Sequence, residues 1–132
     1  MTPAVDRPAA IRKALRNLVA ERGFHGASMG AIAKEAGVAT GTAYVHYESK
    51  EELVYATYLE LKMELSAAVM ADYDEAAIPF EAWRHILTVA YEYLSAEPER
   101  ARFLTQLEES PYYEEAHSRL VAAGDPLSAA AG

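Results

Sequence analysis

The sequence predicts an all-α fold, and three observations predict it. Apolar residues recur at helical spacing along the chain. No stretch alternates apolar and polar residues between turn markers long enough to read as a strand. Glycine and proline stand where helices start and stop: Gly23, Gly26, Gly37, Pro79, Pro98, Pro111 and Gly124.

The first helix is expected from Arg7 to Arg22. Asp6 is positioned to cap it, and Pro8 sits in its first turn, where a missing N–H costs nothing. Ile11, Leu15, Leu18 and Val19 share one face, and Gly23 ends the helix. A short second helix opens at Ser28, turns Met29, Ile32 and Ala33 inward, and stops at Gly37. A short third helix runs from Thr40 to His46 after the connection Gly37-Val38-Ala39. Two short helices joined in this way are the sequence form of a helix-turn-helix.

A long fourth helix opens at Ser49. Ser49 and Glu52 have capping-box spacing, with the hydroxyl bonding an amide and the carboxylate reaching back. Leu53, Ala56, Leu61, Leu65, Ala68 and Val69 carry its apolar stripe to about Ala71. After a linker from Asp72 to Ile78, Pro79 opens a fifth helix. Phe80, Trp83, Ile86, Leu87, Ala90, Tyr91 and Leu94 give it a wide apolar face. Pro98 opens a sixth helix with Phe103, Leu104 and Leu107 inward. Ser110 and Pro111 open a seventh that ends at Gly124 and Pro126, and residues 127–132 read as an uncapped tail. The expected division is a three-helix unit over residues 1–48 and a helical second unit over 49–132.

Composition excludes several classes. At 52% hydrophobic and 24% charged, the chain is too apolar for a disordered polymer and too charged for a membrane bundle. The absence of cysteine excludes a disulfide scaffold and thiolate metal sites. His25, His46, His85 and His117 share no ligand spacing, so neither a metal nor a cofactor is expected. The longest uncharged run, Ala36 to Tyr47, is too short to span a bilayer. Residues 1–7 lack the basic and apolar regions of a secretory signal. A cytoplasmic protein without a membrane partner is expected. The net charge of -8 is unevenly spread, with +3 over residues 1–47 and -11 over 48–132. One end is thus able to approach phosphate, although ordinary charge fluctuation is the better account of so small an excess taken alone.

The stretch from Gly23 to Leu53 has what docking on duplex DNA requires. Ile32, Ala33, Val38, Ala43 and Tyr47 are able to lock two helices at a fixed angle. The third helix then shows Thr40, Gly41, Thr42, Tyr44 and His46 outward, small or hydrogen-bonding groups that fit a major groove about 12 Å wide. Helix starts at Ser28 and at Ser49-Lys50 offer amides suited to phosphate oxygens.

The pattern Ala33…Gly37-Val38-x-x-Gly41-Thr42-x-Tyr44-x-His46-Tyr47-x-Ser49-Lys50-Glu51-Glu52-Leu53 closely resembles the DNA-binding domain of the TetR family of transcriptional regulators. The resemblance covers residues 7 to about 58. It implies that Ser28, Thr42, Tyr44, His46 and Lys50 contact backbone phosphate, and that Ala39, Thr40, Gly41 and Val45 lie nearest the base edges. It implies that Tyr47 packs under the recognition helix. Gly30, Thr40, Ala43 and Val45 depart from the residues usual in the family. No Arg or Lys lies between Lys34 and Lys50, so bidentate guanine contacts from the third helix are excluded.

Phe103-Leu104-x-Gln106-Leu107-Glu108-x-Ser110-Pro111-Tyr112 resembles, more loosely, the junction of the sixth and seventh helices in that family. The implied function is a repressor released from a double-stranded operator by a small apolar effector, working as a homodimer. Members usually continue into further helices that form the dimer, and this sequence ends before them; the expectation is either a truncated chain with an incomplete effector-binding domain or a dimer formed by another surface. Tyr58, Trp83, Tyr91, Phe103, Leu107 and Tyr112 are the candidates for lining an effector pocket; the same residues also read as plain core. Glu108, Glu109, Glu114, Glu115 and His117 read as a solvated acidic face, and no catalytic constellation is present. The alternative from another class is a helical protein-interaction module that uses the helix-turn-helix as scaffold.

Overall fold

The computed structural model describes residues 6–131, and the reading of the first five residues lies outside the described residues. Eight helices are described: α1 Arg7–Arg22, α2 Met29–Ala36, α3 Thr40–His46, α4 Lys50–Ala71, α5 Pro79–Ala96, α6 Glu99–Glu108, α7 Tyr113–Ala122 and α8 Pro126–Ala131. A 3-10 turn, Phe24–Gly26, joins α1 to α2. None is long and apolar enough to cross a membrane, among the described residues.

Local chemistry sets the helix ends. The Asp6 carboxylate accepts from the Ala9 amide, and Ser28 and Ser49 accept from the Ala31 and Glu52 amides. Gly37, at φ 75°, adopts the left-handed turn that ends α2 and redirects the chain into α3. Three expectations change. The Glu52 carboxylate pairs with Arg119 of α7 at 2.8 and 3.1 Å, so the guanidinium takes the group that a full capping box needs. α7 begins at Tyr113, two residues after the proline, because the Ser110 hydroxyl closes a turn on the Tyr112 amide. The tail from Pro126 forms α8: Asp125 accepts from the Ser128 amide at 2.9 Å and also bonds the Ser66 hydroxyl of α4. Asp followed by Pro at the first helical position is itself a start signal.

One continuous hydrophobic cluster joins both halves of the chain. Ile11, Leu15, Leu18 and Val19 of α1 meet Ile32 and Ala33 of α2, Ala43 of α3, Leu53, Val54 and Leu61 of α4, Phe103 and Leu107 of α6, and Leu120 of α7. α1 is central, packing on α2, α4 and α6. Phe24 bridges the halves, its ring 5.8 Å from Phe103 and 5.1 Å from Tyr112.

Beside the apolar core runs an ion-pair network. Glu60 of α4 takes Arg12 at 2.6 Å and Arg16 at 3.2 Å, both from α1. Arg12 also donates to the Tyr47 hydroxyl at 2.7 Å, and that hydroxyl donates to the Pro8 carbonyl. Burial weakens the Arg12 charge, but hydrogen bonds to Glu60 and Tyr47 outweigh it and raise its pKa. Lys13 pairs with Glu97 at 3.3 Å. Three of the six basic residues in the first 47 therefore turn toward α4 and the α5–α6 junction. The positive balance of that segment is largely consumed inside the molecule.

Candidate nucleic-acid interface

The helix-turn-helix presents one open face. Ala43 of α3 is fully buried against Ile32 and Ala33 and fixes the rotation of the short helix. That rotation leaves Val45 81% and Tyr44 50% exposed, with Thr40, Gly41 and His46 also exposed and Thr42 half-buried. An apolar side chain this open on the outer face of α3 fits contact with an apolar base edge such as a thymine methyl. No side chain caps the start of α3 at Ala39.

The start of α2 joins this face. A Cβ placed on Gly30 would lie 3.9 Å from the Thr40 hydroxyl oxygen and 4.0 Å from that of Ser28. Ser28, Gly30 and Thr40 therefore meet at one spot, where the N-terminal turns of α2 and α3 converge. Ala39, just before α3, is exposed. Tyr47 is half-buried and bonded to α1, packing beneath α3.

Lys50 stands differently from its sequence expectation. Its ammonium donates to the Phe24 carbonyl and is half-buried at the start of α4. Burial lowers its pKa, and neighbouring Glu51 offsets this only in part. In this arrangement Lys50 first ties α4 to the 3-10 turn, because the turn leaves a backbone carbonyl facing it. Two ammonium hydrogens remain for other acceptors.

The six residues expected around an effector pocket do not share one cavity. Phe103 and Leu107 are fully buried in the core, and Tyr58 is buried on α4, where burial pushes its hydroxyl pKa up to about 12. Tyr112 is half-buried beside Phe24 and Tyr55. Trp83 and Tyr91 lie 64% and 73% exposed on the outer side of α5. The cause is geometric: α4 packs on one side of α5, where His85 bonds the Val69 carbonyl and Tyr93 donates to Glu64, and Phe80, Trp83, Leu87 and Tyr91 face outward. A cleft lies elsewhere, between the end of α1 and the α6–α7 connection. Its walls come from residues 22–25, Lys50 and residues 106–112, far apart in the chain, so no local sequence signal marks it. No group of three or more His, Asp or Glu side chains able to hold a metal occurs among the described residues.

A three-helix head with an open recognition helix, fused through α4 to a helical body, defines the class of helix-turn-helix regulators. Residues 11–57 match the family described as bacterial regulatory proteins, tetR family. An uncharacterized HTH-type transcriptional regulator of Haemophilus influenzae is 30% identical over 105 residues, covering 80% of this chain and 56% of that protein. A fatty acid metabolism regulator protein of Bacillus subtilis is 30% identical over 91 residues, covering 69% of this chain and 46% of that protein. The crystal structure of a TetR family transcription regulator from Marinobacter aquaeolei VT8 superposes with a TM-score of 0.76 at 26% identity, covering 88% of this chain and 63% of that one. The chain belongs to the TetR family of bacterial regulators. It spans about half the length of the curated relatives it matches.

Proposed function

We propose that the chain is a DNA-binding transcriptional regulator, not a catalyst, whose residues 1–48 form the DNA-binding domain and whose residues 49–132 belong to an effector-binding and dimer-forming part. It acts in the cytoplasm on a double-stranded operator as a homodimer and represses until a small apolar effector releases it. In this reading Ser28, Thr42, Tyr44, His46 and Lys50 hold phosphates, and Ala39, Thr40, Gly41 and Val45 approach bases. The observation that carries it is the open face of α3, with Val45 and Tyr44 exposed while Ala43 of the same helix is sealed in the core. Release follows from geometry. α4 begins at the recognition unit and runs into the body, so an effector that moves α4 changes the spacing of two recognition helices.

The test is fluorescence anisotropy on a pool of duplex DNA across a salt series. Binding is expected, with log affinity falling linearly in log salt. Thr42→Ala combined with Tyr44→Phe is expected to weaken binding by about thirtyfold on every duplex, two hydrogen bonds at roughly 1 kcal/mol each. Lys50→Ala is expected to lower the salt slope by about one unit. No binding at about 50 mM salt overturns the reading. A second reading, a helical protein-interaction module, rests on the outward apolar side of α5. It predicts no duplex binding and a loss of partner binding on Trp83→Ala.

A further inference from the structure

A cleft of about 440 Å³ opens where α1 and the 3-10 turn meet the α6–α7 connection. We propose that it binds a small organic monoanion: one carboxylate head on a short apolar body.

The charges select the head. Arg22 and Lys50 bring two fixed cations to the cleft, and Glu109 brings one carboxylate, in a chain whose net charge is -8. Among the lining residues the balance is one positive charge, which suits a single negative charge, and Glu51, close to Lys50 and Tyr112 but outside the lining, further disfavours a polyanion. Lys50 is half-buried there, bonded to a neutral carbonyl and not to a carboxylate, and Arg22 has no ion pair among the described residues. A half-buried ammonium bonded only to a carbonyl, with Glu51 offsetting its burial in part, gains a direct ion pair when an acid enters. The walls select the body. Phe24, Pro111 and Tyr112 give the cleft its apolar lining. Of the residues read from sequence as effector-lining, only Tyr112 belongs to this cleft. The site therefore sits at the junction of head and body, with the acid bridging Arg22 at the end of α1 to Lys50 at the start of α4.

Isothermal titration of the full chain at neutral pH with octanoate, octyl phosphate and octan-1-ol tests the proposal without any DNA. Saturable one-to-one binding is expected for octanoate, at least about tenfold tighter than for the alcohol and tighter than for octyl phosphate, which is mostly a dianion there. Arg22→Gln is expected to weaken octanoate by about tenfold, with the melting curve unchanged because Arg22 is exposed. Trp83→Ala, on the far side of α5, is expected to leave binding within about twofold. No octanoate binding below about 1 mM, equal binding of the alcohol, tighter binding of octyl phosphate, or full binding by Arg22→Gln each overturns the proposal.

Discussion

Replacing Glu60 by alanine should cost more stability than any other single carboxylate in the chain. Its two oxygens serve both α1 arginines, Arg12 at 2.6 Å and Arg16 at 3.2 Å. The Arg16 side chain is only 7% exposed, its other carboxylate, Glu99, is 3.9 Å away, and its Nε has no partner. Removing Glu60 strands a buried guanidinium. Breaking a fully buried pair from one side costs about 3–5 kcal/mol. Glu60 itself is 24% exposed, so water recovers part of that, and about 2–3 kcal/mol is the expected loss. For a domain of this size that lowers Tm by roughly 8–12 °C. Urea unfolding with an unchanged m-value measures it. Glu64→Ala is the control. It deletes a single exposed bond to the Tyr93 hydroxyl and should cost less than about 1 kcal/mol. A Glu60→Ala loss under about 1 kcal/mol refutes the reasoning, since it would mean that Arg16 finds water or Glu99 at no expense.

Gly41→Ala should raise stability by up to about 1 kcal/mol, because a Cβ at Gly41 meets nothing within 4 Å; on the proposed interface it should also weaken duplex binding, read by anisotropy. Phe24→Ala should cost about 3–4 kcal/mol in urea unfolding by opening a void between Phe103 and Tyr112. Burial works against the Asp125 charge, but hydrogen bonds from Ser66 and Ser128 overcome it and hold its pKa below the usual carboxylate range. Its contribution is therefore complete above the unfolded value of about 4 and is lost as pH falls through the folded value. Asp125→Asn should cost about 1 kcal/mol at pH 6, and the gap to wild type should close toward pH 3. An equal gap at both pH values contradicts that assignment.

The head was legible from sequence because its determinants are local. Ser28 and Ser49 cap, Gly37 turns left-handed, and Ile32, Ala33 and Ala43 fall on inward positions within a few residues of those signals. Once Ala43 is inward, helical geometry alone turns Val45 and Tyr44 out. Charge was less legible. Arg12, Lys13 and Arg16 look like a basic patch in one dimension, yet their acidic partners Glu60, Glu97 and Glu99 lie far along the chain. Pairing at that separation depends on how α4 and α6 cross α1, which composition does not encode.

The body shows the other limit of periodicity. α5 carries apolar residues around most of its circumference, and a wide stripe was readable as a pocket wall or as core. Spacing specifies which side chains share a face, and it is silent about what covers that face. Tyr93 points toward α4 and donates to Glu64, whereas Phe80, Trp83, Leu87 and Tyr91 point outward at similar spacing. The same reason hides the junction cleft. Arg22 and Lys50 announce themselves as surface cations, and only the fold of α6 onto α1 gives them Tyr112 and Gln106 as neighbours. A pocket is a property of contacts between distant segments, so its residues carry no pattern until the helices have packed.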